Sequence, residues 1–169
     1  EQHYDLSPER MTVRMFLTNE GRSSMPAGLG PHPYFVRTLR ARIAACADKI
    51  WLNDEELLPT ELTAPPAEFD IRRGIVPART AMDHCFAAWD RRAVIEWPEW
   101  HARLTMSAEA PLNFLVVYTP PGQDYFCAEP VSNVTDAFNL AAAGRADTGM
   151  QVLQPGETMT ATAYFEPQT

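Results

Sequence analysis

The sequence predicts an all-β protein of short antiparallel strands packed as a sandwich. Apolar residues recur with a period of two in several stretches, and helical amphipathicity is weak throughout. The 15 prolines among 169 residues exceed the ~5% of average usage and fall mostly between the alternating runs. Alternation sends successive side chains to opposite faces of a pleated strand, leaving one face to bury. Short strands broken by proline and glycine favour a sandwich over α/β layering.

The elements follow in chain order. Val13, Met15 and Leu17 alternate with Thr12, Arg14 and Thr18 nearby, although Phe16 interrupts the order. Leu39, Ala41 and Ile43 alternate with Arg40 and Arg42, which predicts a second strand. Pro65-Pro66 to Ile71 reads as a surface loop. Leu104 and Met106 alternate with Arg103, Thr105 and Ser107, and Phe114 to Tyr118 is a continuous apolar run suited to a strand covered on both faces. Thr135-Asp136 can cap one short helical turn through Asn139 to Ala143, stopped by Gly144. At the end Met159, Ala161, Ala163 and Phe165 face one way while Thr158, Thr160, Thr162 and Tyr164 face the other. No repeat, low-complexity tract or linker interrupts the chain, so residues 1–169 read as a single domain.

Composition narrows the partners. Hydrophobic residues make up 46% and charged residues 21%, as in soluble globular proteins. The net charge is -8 with scattered basic residues, which argues against nucleic acid and anionic membranes, since a phosphate backbone needs a concentrated positive footprint. Small neutral molecules remain. Lys49 is the only lysine, which disfavours lysine Schiff-base chemistry. Cys46, Cys85 and Cys127 lack C-x-x-C spacing, so we expect neither a disulfide framework nor a zinc ribbon, and a reducing, cytoplasmic compartment. No apolar run approaches the ~18 residues of a membrane span. The start, Glu1-Gln2-His3-Tyr4-Asp5, has no signal-peptide pattern and no initiator methionine, which points to processing or to residues upstream.

Three stretches each place a proton-handling side chain in a stiff or turn-rich setting. They are Gly30-Pro31-His32-Pro33-Tyr34-Phe35, Met82-Asp83-His84-Cys85-Phe86 and Phe126-Cys127-Ala128-Glu129-Pro130. His32 and Glu129 each precede a proline, which restricts their backbones to extended conformations. His32 reads either as a turn histidine bonded to its neighbours or as an acid in a pocket lined by Tyr34 and Phe35. Glu129 reads either as a strand-end carboxylate paired with arginine or as a desolvated base of raised pKa. Asp83 and His84 are neighbours on extended backbone and point to opposite faces, so they cannot converge on one metal ion. Trp51, Trp89, Trp97 and Trp100 read as core and rim aromatics, and Asn133-Val134-Thr135 as a chance glycosylation triplet. Gly28-Leu29-Gly30 precedes no helix pattern, and neither a G-x-S-x-G motif nor a zinc-spaced cluster is visible.

The order of these motifs resembles the aldose 1-epimerase (mutarotase) family in its bacterial branch. The matching stretches are Met25 to Phe35, Asp83-His84-Cys85-Phe86 with Trp89-Asp90, Leu115 to Pro121, Glu129-Pro130-Val131-Ser132 leading to Asp136-Ala137-Phe138-Asn139, and Thr148-Gly149-Met150 with Leu153 to Glu157. The resemblance implies an antiparallel β-supersandwich of the galactose mutarotase kind, of which this chain is the C-terminal, incomplete part. It implies an isomerase that interconverts the α and β anomers of a free hexose. His32 would be the general acid towards the ring oxygen, Glu129 the general base towards the anomeric hydroxyl, and Asp83 an anchor for sugar hydroxyls. Tyr34 and Phe126 are the expected aromatic contacts. No metal or redox cofactor is expected, because no electrons leave the substrate.

The ring-opening step calls for one donor and one acceptor, which we expect on opposite sides of the hemiacetal, facing each other across a hollow. Family members are markedly longer, and their N-terminal portion supplies further strands with an arginine and a second histidine that clamp the sugar. Without such a portion the chain should expose sheet edges and self-associate. Pro31 and Arg91 depart from the family pattern. Two alternatives stand beside this reading. One is a non-catalytic sugar-binding or sensory protein. The other is a sugar-phosphate epimerase of the same fold, for which Arg37, Arg40 and Arg42 are the candidate phosphate contacts.

Overall fold

The computed structural model describes residues 1–168. The strands are β1 (Gln2–Leu6), β2 (Met11–Thr18), β3 (Met25–Ala27), β4 (Tyr34–Val36), β5 (Arg42–Asn53), β6 (Pro59–Thr63), β7 (Met82–Trp97), β8 (Ala102–Ala108), β9 (Phe114–Thr119), β10 (Tyr125–Val131), β11 (Gln151–Leu153) and β12 (Thr158–Gln168). One helix, α1 (Ala137–Ala142), lies between β10 and β11. Among the described residues no helix is long and apolar enough to cross a membrane.

Strand β7 organises the architecture. Its first half, Met82 to Phe86, pairs with β9, its second half, Arg92 to Trp97, pairs with β8, and β5 runs antiparallel along both halves. Between the halves Ala88 and Arg91 have φ values of 50° and 63°, and the register with β5 shifts between Ala45 and Ala47. Such a bulge kinks a strand and tightens its twist. The ten-stranded sheet therefore divides into two wings, β9-β10-β4 and β8-β12-β2-β1. Every named pairing is antiparallel. The sequence expectation of an antiparallel β-sandwich is what the coordinates show.

Aromatic packing closes the wings on each other. Phe35 of β4 lies 5.6 Å from Phe126 of β10, 6.4 Å from Trp97 of β7 and 6.5 Å from Phe165 of β12, between ring centroids. Phe86, Ile95, Met106, Leu115 and Val117 are fully buried in the same core. Burial of one such side chain is worth roughly 1.5–3 kcal/mol. A second cluster, Trp51, Cys85, Ala87, Phe114, Val134 and Ala137, lies where α1 and its flanks cover the far face of β7 and β9. Trp51, Trp89 and Trp97 are buried, and Trp100 is the exposed rim residue, stacked on Trp97.

Local expectations need three corrections. Strand β5 begins only at Arg42, and Leu39 is 80% exposed, because the chain bends there and Glu99 accepts a hydrogen bond from the Arg40 amide. The Pro65 to Ile71 segment contains a single 3-10 turn, Ala67–Phe69, and leads into a second, Ile71–Arg73. The second is anchored by the Asp70 carboxylate, which accepts from the Arg72 amide. Helix α1 forms where a helical turn was expected, but Asp136 has left-handed φ and makes no side-chain cap bond. The turn ends before Gly144, whose φ of 92° suits glycine.

Candidate active site

Strand register builds the site. Phe126 pairs with Phe35 and Cys127 with Tyr34. Beyond the formal end of β4 the chain keeps the same register. The Ser132 amide donates to the Leu29 carbonyl at 2.8 Å, and the Leu29 amide donates to Ser132 Oγ at 2.8 Å. The segment between, Gly28 to Pro33, lies as a strap along β10, and Pro31 and Pro33 have no amide to donate. Extending the pairing by two residues from Tyr34–Cys127 sets His32 opposite Glu129. A Cβ on Gly30 would meet Val131 Cγ1 at 2.5 Å and one on Gly28 would meet Asn133 Oδ1 at 1.9 Å. Only glycine lets the strap lie this close.

On the other side of β10, Cys127 pairs with Tyr118 and Glu129 with Val116 of β9. In turn Tyr118 pairs with Asp83, and Val116 with Cys85, of β7. Two rows thus cross four chain segments on one face, Tyr34–Cys127–Tyr118–Asp83 and His32–Glu129–Val116–Cys85. The side chains of the intervening positions, Phe126, Ala128 and Val117, point into the core.

His32, Glu129 and Val116 of one row and Tyr118 and Asp83 of the other form the floor of a hollow of about 470 Å³, whose lining also includes Asn133 and Thr135. That volume falls within the usual range for small-molecule pockets. His32 Nε2 lies 3.5 Å from Glu129 Oε1, with the imidazole half exposed and the carboxylate only 12% exposed. The ring of Tyr34 stacks on the His32 ring at 4.9 Å with 9° between planes. Burial, and secondarily the Asp83 charge, push Glu129 up to about 7. Burial also raises Asp83, against the opposing pull of His84 and His32. The Cys127 thiol is pushed up to about 12 by burial and then by the Glu129 and Asp83 charges.

The predicted residues are not all placed as expected. His32, Glu129 and Asp83 line one hollow, and His84 faces the core side, its ring edge against Phe69. Phe126 is a correction. It is fully buried between the wings against Phe35, because its parity along β10 is that of Ala128 and not of Glu129. Tyr34 does not line the hollow and instead braces His32. The acid and base candidates do not face each other across the hollow but stand side by side on one wall. For the expected ring opening this placement suits, because the ring oxygen and the anomeric hydroxyl of a hemiacetal are bonded to the same carbon. Arg37 donates to the Pro120 carbonyl and Arg42 to the Arg73 carbonyl, and neither they nor Arg40 line the hollow. Sequence reasoning did not assign Tyr118, Asn133 or Thr135 to the site. Tyr118 was detectable from its continuous apolar run, but its pairing with Asp83 was not.

The sequence model of the aldose 1-epimerase family matches residues 1–166. The chain belongs to the aldose 1-epimerase family. It is 32% identical over 167 residues to the uncharacterized protein YphB of Escherichia coli K12, covering 94% of this chain and 56% of that protein. A solved Escherichia coli K12 structure, 28% identical, superposes with a TM-score of 0.88 over 99% of this chain and 59% of that one. A galactose mutarotase-like protein from Clostridium acetobutylicum shares the fold, with a TM-score of 0.87 at 22% identity over 99% of this chain and 55% of that one. The fold is therefore galactose mutarotase-like, and the chain spans somewhat over half the length of these relatives.

Proposed function

We propose that this protein is a carbohydrate isomerase that exchanges the α and β anomers of a free aldohexose, with His32 as general acid and Glu129 as general base. The observation that carries this reading is the 3.5 Å approach of His32 Nε2 to Glu129 Oε1 on the wall of a sugar-sized hollow. With both ring nitrogens protonated, His32 gives its Nε2 proton to the ring oxygen and becomes a neutral imidazole, while the Glu129 carboxylate takes the proton of the anomeric hydroxyl. The bond between the anomeric carbon and the ring oxygen breaks, and the open-chain aldehyde forms. Rotation about the C1–C2 bond presents the other carbonyl face. The same two groups then run in reverse and close the ring as the opposite anomer. Protons and electrons balance within the substrate and the pair.

A base near neutrality is matched to such a transfer, and the desolvated Glu129 carboxyl meets that requirement. Asp83, across β9 and β10 from His32, anchors hydroxyls at the far end of the hollow. Two carboxylates on the lining would repel a phosphorylated sugar, which favours a neutral one. The test is polarimetry on freshly dissolved α-glucose or α-galactose. Addition of the protein should accelerate the approach to equilibrium, and Glu129→Gln should slow it by roughly 10²–10⁴-fold. Tight sugar binding by calorimetry with no acceleration would instead identify a binding protein.

A further inference from the structure

The same wall holds an unexpected third group. One ligand atom each of His32, Cys127 and Glu129 lies within 4.8 Å of the others. The sequence shows no zinc spacing because Cys127 and Glu129 share a strand face while His32 arrives from the strap. We propose that His32 Nε2, Cys127 Sγ and a Glu129 carboxylate oxygen form a three-ligand site for a borderline-soft divalent cation, Zn²⁺ above all, and that its occupation blocks the hollow to sugar.

The donor set is one nitrogen, one sulfur and one oxygen, the types that tetrahedral Zn²⁺ accepts. Bond lengths of about 2.0–2.3 Å in tetrahedral geometry put ligand atoms roughly 3.3–3.6 Å apart. The His32–Glu129 separation of 3.5 Å is already in that range, and Cys127 needs to close by no more than about 1.5 Å from the 4.8 Å limit. His32 is half exposed while Cys127 is fully buried, so an ion enters from the hollow past the imidazole. Coordination displaces the thiol proton to solvent and leaves a thiolate on the metal. The fourth position opens to the hollow, where water completes the shell. Zn²⁺ there uses the lone pair of the proposed acid and the carboxylate of the proposed base. Coordination rests on geometry alone, whereas loss of anomer exchange rests also on the epimerase reading.

The test uses the whole protein with Co²⁺ and then Zn²⁺. Co²⁺ should give near-ultraviolet sulfur-to-cobalt charge-transfer absorption and visible bands of a tetrahedral site, and stoichiometric Zn²⁺ should abolish both. Cys127→Ser should remove the charge-transfer band, and His32→Asn, on the exposed strap, should weaken Zn²⁺ at least roughly tenfold. Cys46→Ser, at an exposed cysteine, should leave the spectrum unchanged. A spectrum lost with Cys46→Ser, no thiolate band in the parent, or Zn²⁺ affinity indifferent to His32→Asn would overturn the site. A normal cobalt spectrum on a protein that exchanges no anomers even after a chelator has stripped the metal would overturn the epimerase reading and leave the metal site standing, whereas unimpaired exchange with Zn²⁺ bound would overturn the block.

Discussion

Glu129 lies in β10 between Ala128 and Pro130, out of water and in the field of Asp83, and its pKa rises to about 7 from 4.5. Between those values the folded state holds a proton that the unfolded state has released, so stability falls as pH rises through that window. Above it the ionised carboxylate lowers stability by on the order of 3 kcal/mol. We expect Glu129→Gln to raise the urea midpoint in mildly alkaline buffer and to leave it nearly unchanged in acid. Equal midpoints for parent and variant above neutrality would show that the carboxylate is not desolvated. The same group should give the profile of kcat/KM an acid limb near pH 7, rising as Glu129 ionises. Removing the Asp83 charge with Asp83→Asn should move that limb to lower pH. A limb that stays in place would deny the electrostatic contact between the two carboxylates.

At the scale of elements, the strap Gly28–Pro33 transmits the register of β10 to His32. Ser132 Oγ accepts the Leu29 amide at 2.8 Å, and Ser132→Ala should lower stability by about 1 kcal/mol. Gly30→Ala places a methyl 2.5 Å from Val131 Cγ1, which should lift the strap, cost about 1–3 kcal/mol and lower kcat/KM at least tenfold. A variant with parental stability and rate would mean that the strap does not position His32. The alternating run of β12 was legible because it has one wet and one buried face. The run Tyr125–Val131 has no such contrast, so nothing in it revealed which parity faces the core. A shift of one residue exchanges the two faces, which is why Phe126 was expected in the pocket and lies in the core. The proline-flanked His32 and Glu129 stood out as candidates. Their closeness depends on a pairing between distant segments that local pattern does not encode.

At the scale of the molecule, the kinked β7 creates two wings, and the Phe35–Phe126–Phe165–Trp97 packing holds them together. Phe126→Ala should therefore destabilise by roughly 3–5 kcal/mol while leaving KM for the sugar nearly unchanged. A raised KM with parental stability would return Phe126 to the pocket. The central claim is that His32 and Glu129 act as one unit on one anomeric carbon, and its most direct measurement is anomer exchange of glucose or galactose by magnetisation-transfer NMR in a double-mutant cycle. His32→Asn and Glu129→Gln should each lose roughly 10²–10⁴ in rate, and the double variant should be little slower than the poorer single one. Rates at the parental level in either single variant, or losses that multiply in the double, would contradict it.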